Sequence, residues 1–186
     1  MAKHYAMAVV VAKCIGCQAC TVACKFQNNV PEGQYRTKTP VVGPKGTFPN
    51  VSMYFLKEAC QMCQDAPCVK VCPTKASHYN EAGVVLVDVD KCVGCKYCLT
   101  ACPYDARFIN KDTGAADKCT FCWEARVSQG QAPACVSTCV GGALVFGDEK
   151  DPNSEIAKLL SKNKGEVRKE EFGTRPSIYY IFEGVK

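Results

Sequence analysis

The sequence predicts an α+β fold, a single compact domain of two ferredoxin-like modules related by pseudo-symmetry, with loop and hairpin insertions between them. Three observations lead there. The chain has 186 residues and no compositional linker, so one domain is expected over 1–186. Its 16 cysteines fall into four runs of four, with none outside a run. Strand–turn–strand patterns stand between the runs, while helical spacing is confined to short stretches.

In chain order, Met1 to Val11 (MAKHYAMAVVV) is apolar too briefly for a signal peptide and runs almost directly into Cys14. It reads as a β-strand, and no export signal of the chain's own is expected. Run one is Cys14, Cys17, Cys20 and Cys24, spaced C-x2-C-x2-C-x3-C. Residues 25–50 are dense in turn formers, among them Asn28-Asn29, Pro31-Glu32-Gly33 and Gly43-Pro44-Lys45-Gly46. A long loop is expected there, before a strand at Val51 to Leu56. Run two is Cys60, Cys63, Cys68 and Cys72, spaced C-x2-C-x4-C-x3-C. Residues 76–79, 80–83 and 84–88 then read as strand, turn and strand.

Run three, Cys92, Cys95, Cys98 and Cys102, repeats the spacing of run one. A second hairpin is expected from Arg107 to Asn110, turning at Asp112-Thr113-Gly114. Run four is Cys119, Cys122, Cys135 and Cys139, spaced C-x2-C-x12-C-x3-C. Asp151-Pro152-Asn153-Ser154-Glu155 opens a helix from Ile156 to Lys162, with Ile156, Leu159 and Leu160 on one face. Lys164 to Gly173 is charged and expected to be solvated, and Ile178 to Phe182 is a last strand.

Composition excludes several classes. Lys+Arg 23 against Asp+Glu 18 gives a formal +5 without a run of like charge, so no nucleic-acid-binding tail is present. No stretch approaches the roughly 20 apolar residues of a membrane span. A disulfide scaffold would be a shorter chain with varied spacings. Structural zinc explains paired C-x2-C but has no need of the triplet C-x2-C-x2-C. The triplet followed by C-x3-C is the bacterial ferredoxin run, in which three thiolates hold one 4Fe–4S cluster and the fourth reaches a second. Sixteen ligands at four per cluster imply four 4Fe–4S clusters. Small residues such as Gly16 and Gly94 allow the close turn of the binding loop.

The hairpin between run two and run three, each closed by Cys-Pro (Cys72-Pro73 and Cys102-Pro103), is the layout of a compact two-cluster ferredoxin. Module two is therefore placed at about 57–110. Module one is then about 1–30 plus 115–150, and the C-terminal helix and strand fill 151–186. Nested pairing of this kind, by the cross-over rule, gives four ligand sets. Cluster one takes Cys14, Cys17, Cys20 and Cys139; cluster two takes Cys24, Cys119, Cys122 and Cys135. Cluster three takes Cys60, Cys63, Cys68 and Cys102; cluster four takes Cys72, Cys92, Cys95 and Cys98. Sequential pairing, run one with two and three with four, is the alternative.

Other residues carry less. His4 and His78 are the only histidines and read as surface or strand residues, because the cysteines already complete the clusters. No nucleophile motif and no G-x-G-x-x-G is present, so no catalytic residue is expected. Gly141-Gly142 is read as shaping the chain after Cys139, and Tyr97 and Trp123 as packing over clusters. Lys3, Lys70, Lys75, Lys91, Lys96 and Lys118 lie near cysteines, where cations should raise cluster potentials. Four clusters without a substrate site make a wire, which needs a partner at each end.

The four runs resemble the iron–sulfur subunits of the dimethyl-sulfoxide-reductase superfamily, most closely the electron-transfer subunits of polysulfide and thiosulfate reductases. The resemblance is carried by Cys60 to Thr74, Ala101 to Arg107, Asp117 to Cys122 and Pro133 to Val136. Ile15 to Cys20, Val30 to Gly33, Phe146 to Pro152 and Gly173 to Pro176 also match. Lys25 and Val140 stand where runs two and three have proline, which is no ligand. The resemblance supports nested pairing. It implies a molybdopterin catalytic subunit beside the cluster of Cys14, Cys17 and Cys20, and a membrane quinol-oxidising subunit beside that of Cys92, Cys95 and Cys98. It also implies export with the catalytic partner to the periplasmic face of the inner membrane. A free soluble polyferredoxin, or the same relay serving an arsenate or sulfoxide reductase, is the alternative.

Overall fold

The computed structural model describes residues 3–185, so Met1 and Ala2 of the expected first strand lie outside the described residues. β1 (Tyr5–Val10) passes through one 3-10 turn into run one, and Cys20 and Cys24 lie on α1 (Ala19–Gln27). β2 (Thr37–Lys38), β3 (Val41–Thr47), β4 (Asn50–Phe55) and β5 (Glu58–Ala59) follow. In run two Cys68 lies on α2 (Pro67–Lys70), which starts at a proline whose missing N–H costs nothing there. β6 (Ser77–Tyr79) pairs antiparallel with β7 (Val85–Val87) as the first hairpin. Cys98 lies on α3 (Tyr97–Thr100), and β8 (Phe108–Ile109) and β9 (Ala116–Asp117) form the second hairpin. Cys135 lies on α4 (Ala134–Ser137), followed by β10 (Leu144–Asp148), α5 (Glu155–Lys162) and β11 (Ile178–Ile181).

β1 is the middle strand of a three-stranded sheet, antiparallel to β10 and parallel to β11. It is buried from Ala6 to Val9 because both faces are covered, which removes the usual alternation. Ala6 and Ala8 pack with Ile156 and Ile181 beneath α5, whereas Met7 and Val9 face the cysteine-rich interior with Tyr180 and Phe121. α5 begins where Ser154 Oγ accepts from the Ala157 N–H at 3.1 Å, and Ile156 is its buried anchor. The short helices pack in pairs, α1 on α4 and α2 on α3. Run one is thereby brought to run four, and run two to run three.

Three expectations need correction. Residues 25–50 are not a continuous loop: α1 extends to Gln27, and β3 pairs antiparallel with β4. Gly43-Pro44 sits in the register shift between Val42 and Lys45, and at Gly46 a Cβ would meet the Asn50 carbonyl oxygen at 2.2 Å. These turn formers make a bulged, tight hairpin instead of an unstructured stretch. β10 has no counterpart among the expected strands, since Leu144 to Asp148 carries glycine and aspartate and only its pairing with β1 makes it a strand. The 164–173 segment is exposed over most of its length, as expected, and is also held in place: Glu166 exchanges backbone hydrogen bonds with Tyr180, and Arg168 meets Glu58 at 2.8 Å. Tyr97 is exposed, because α3 is one turn long and buries only Cys98.

Trp123 meets Tyr5 edge-on at 5.6 Å, within an aromatic group that reaches Phe146 and Phe121. His78 Nδ1 lies 3.0 Å from the Ala76 carbonyl oxygen, and His4 pairs with Glu149 and Ser177.

Candidate functional site

The sixteen cysteines are free thiols, and they surround four cavities. Cys14, Cys17, Cys20 and Cys139 line the first, and Cys24, Cys119, Cys122 and Cys135 the second. Cys60, Cys63, Cys68 and Cys102 line the third, and Cys72, Cys92, Cys95 and Cys98 the fourth. Each of the four is lined by four cysteines, one set per cavity. A larger cavity beside Arg36 and Tyr104 has no cysteine in its wall.

Local backbone places the thiols. In the first C-x-x-C pair of every run the residue before the second cysteine is left-handed: Gly16 (φ +68), Met62 (φ +47), Gly94 (φ +65) and Phe121 (φ +56). That conformation curls the loop so both thiols face one space. At Gly16 a side chain is further forbidden, because a Cβ would lie 2.4 Å from the Phe55 ring. The C-x3-C pairs do the opposite task. In run one both cysteines lie on a helix, and in the others the helix ends before the fourth, so the fourth thiol turns to another cavity.

Donors point at the sulfurs. The N–H groups of Ser77, Ala116, Phe121 and Ala143 approach Cys72, Cys92, Cys119 and Cys139 Sγ at 3.4, 3.3, 3.5 and 3.3 Å. Asn28 Nδ2 lies 3.6 Å from Cys24 Sγ and 3.7 Å from Cys122 Sγ. Arg107 Nη2 donates to Cys68 Sγ at 3.0 Å and Nη1 to Ser77 Oγ at 2.8 Å. Lys57 is buried and lines both the first and second cavities. Lys118 is buried too, its Nζ bonded to the carbonyls of Val85 and Cys119.

Burial pushes the Cys63 and Cys135 thiols up to about 12, with neighbouring thiolates adding to it, and raises Cys24 by the same causes. Cys72 moves the other way: slight burial is outweighed by donors from Ser77, Thr74 and Ala76. Burial alone would lower Lys57, but the Cys135, Cys119 and Cys20 thiolates reverse this and hold it above the ordinary lysine value. Arg107 is raised in the same way, by Cys68, Cys60 and Cys98 against its burial.

This donor set fits a polynuclear iron–sulfur group. Among the described residues no three His, Cys, Asp or Glu side chains converge to hold a single ion. The thiols surround a space, and metal coordination deprotonates even a thiol whose pKa is raised. Sequence reasoning missed Lys57, Arg107 and Asn28 as parts of the site. Of the six lysines named from sequence, Lys118 alone is buried; Lys3, Lys70, Lys75, Lys91 and Lys96 are exposed, where water and salt screen them.

Fold and cavities together define an electron-transfer protein of the iron–sulfur class. The 4Fe–4S dicluster domain family matches residues 51–149, and a second 4Fe–4S dicluster domain family matches residues 13–76. The protein is 46% identical over 185 residues to the B component of polysulfide reductase from Wolinella succinogenes, covering 97% of this chain and 95% of that one. It is 47% identical over 182 residues to the B component of tetrathionate reductase from Salmonella typhimurium, covering 96% and 72%. It is 45% identical over 168 residues to the thiosulfate reductase electron transfer subunit of Salmonella typhi, covering 90% and 86%. The chain belongs to the 4Fe–4S iron–sulfur subunits of the dimethyl-sulfoxide-reductase superfamily, and its cofactors are four 4Fe–4S clusters.

Proposed function

We propose that the chain relays electrons between a membrane quinol-oxidising subunit and a molybdopterin catalytic subunit of a respiratory reductase of polysulfide or thiosulfate type. In this reading the complex works in anaerobic respiration at the periplasmic face of the inner membrane. Each thiol-lined cavity is the site of one cluster, so the four sets of lining cysteines are the four ligand sets. The nested modules account for α1 packing on α4 and α2 on α3. Their pseudo-symmetry is supported by run one and run three, whose loops carry left-handed residues at matched places: Gly16 and Gln18, Gly94 and Lys96.

One observation carries the relay. The two end cavities reach the surface through exposed Cys17 and Cys95, while six of the eight thiols of the middle pair are buried. Exposed apolar side chains stand in or beside the cysteine runs that line each end: Ile15 in the wall of the first cavity, with Val22 and Val140 next to Thr21 and Cys139 in sequence, and Val93 in the wall of the fourth, with Tyr97 beside Cys98 in sequence. A freely diffusing carrier gains nothing from two such patches, whereas a subunit held between two partners requires them. A bound 4Fe–4S cluster takes up and releases single electrons. The chain's part is to hold the thiolates, aim N–H donors at sulfur and keep water from the middle of the path. The polysulfide or thiosulfate reading rests on the similarity to subunits of those two reductases.

The direction is tested at Cys98, assigned to the fourth cluster. A Cys98→Ser complex should lose quinol-driven turnover at least tenfold, while reduction of the catalytic subunit by an artificial dye survives. If the variant assembles and still oxidises quinol at the wild-type rate, the fourth cavity is not the membrane-facing end.

A further inference from the structure

The sequence carries 23 lysines and arginines, yet those buried among the described residues are Lys57, Lys118 and Arg107, at 4%, 0% and 7% exposure. Among the described residues none of the three has a carboxylate partner. Leaving a buried cation unpaired is costly enough that negative charge must be supplied from somewhere. Their positions say where. Lys57 stands in the walls of both the first and second cavities. Lys118 Nζ is held by the carbonyls of Cys119, in the second wall, and Val85, in the third. Arg107 bonds Cys68 of the third cavity and Ser77 in the wall of the fourth. Cavities and cations therefore alternate from one end of the path to the other.

We propose that Lys57, Lys118 and Arg107 are charge-compensating residues, one between each consecutive pair of clusters, each raising the reduction potentials of both its neighbours. The inference rests on the ligand sets proposed above. An oxidised cluster with four thiolates carries about two negative charges, and each added electron makes one more. In a dry interior that addition is opposed both by burial and by the charge of the next cluster. A cation held between two clusters offsets both effects. Because it serves two clusters at once, neutralising it should shift both potentials together. The exposed lysines are too well screened to replace it.

The test uses the full chain with its clusters, loaded anaerobically, with iron and sulfide measured first. EPR-monitored redox titration then follows each cluster, assigned by single cysteine variants. Lys57→Met should lower the potentials of the first two clusters and leave the fourth unchanged. Arg107→Gln should lower the third and fourth and leave the first unchanged. The expected size is at least tenfold in the reduced-to-oxidised ratio at fixed potential, about 59 mV for one electron. Full iron content with unchanged potentials, or one shift shared equally by all clusters, overturns the proposal. Where a neutral variant loses clusters, Lys57→Arg and Arg107→Lys decide. Full iron and wild-type potentials in these support a role of charge, while lowered potentials or lost clusters despite the kept charge overturn it. Failure of the ligand sets would show separately, as cysteine variants that alter the wrong cluster.

Discussion

The inner pair of cavities and the outer pair present thiols with the same loop geometry but in different surroundings. Six of eight inner cysteines are buried, whereas among the eight outer ones only Cys98 is. The left-handed loop position is glycine in the outer cavities, Gly16 and Gly94, and bulky in the inner ones, Met62 and Phe121. A non-glycine residue there costs roughly 1–2 kcal/mol of backbone strain. Burying a Met or Phe side chain returns roughly 1.5–3 kcal/mol, which offsets it. Met62 and Phe121 are at most 3% exposed, so the inner loops can use side chains as core; the outer loops, at the surface, cannot. The same backbone is thus stabilised by burial inside and by glycine outside. The difference suits a path whose middle must be dry and whose ends must be touched.

The largest expected effect would show how far the inner region depends on its occupants. Anaerobically purified protein should carry four irons and four sulfides per cluster for four clusters, with almost no zinc. Chelation should abolish cooperative folding, seen by circular dichroism, because the inner core is walled largely by cavity-lining thiols such as Cys24, Cys60, Cys63, Cys68 and Cys135. Stoichiometric zinc, or a chelated chain that melts as before, would break the comparison at its root.

A smaller effect sharpens the boundary between the regions. Cys102 stands in the same run as Cys92, Cys95 and Cys98 of an outer cavity, but lines the inner third one. Cys102→Ser should therefore perturb the cluster of Cys60, Cys63 and Cys68 and spare that of the outer cavity. Sequential pairing predicts a change at the cluster of Cys119, Cys122 and Cys135 instead, and spectra of the reduced protein separate the two.

The smallest effects probe the loop position itself. Phe121→Ala keeps the strain and removes the burial, and should cost about 3–5 kcal/mol of stability. Gly94→Ala adds strain at φ +65 and brings a Cβ to 3.0 Å from the Gly114 carbonyl oxygen, for a cost of about 1–2 kcal/mol. Equal losses in denaturant titrations of the two holoproteins would mean that burial does not separate inner from outer loops.

Much of the fold is legible in the residues alone. Cysteine spacing is local chemistry, so the four runs, both hairpins, the helix capped by Ser154 and the last strand can be read residue by residue. Turn formers mislead at 41–50, because glycine and proline mark a bulged hairpin as readily as a loop. β10 is invisible, since its partner β1 lies more than 130 residues away in sequence and strand pairing at that distance leaves no local pattern. The same limit hides the cations. Lys57 precedes run two in no motif at all, and Arg107 follows Cys102 like any basic residue. Sequence by itself determined the cofactor and named the candidate thiols, because a cluster needs particular atoms at particular spacings along one loop. Only the tertiary structure decided which cavities lie inside, which meet solvent and which three cations stand between them, because burial is set by contacts between segments far apart in the chain.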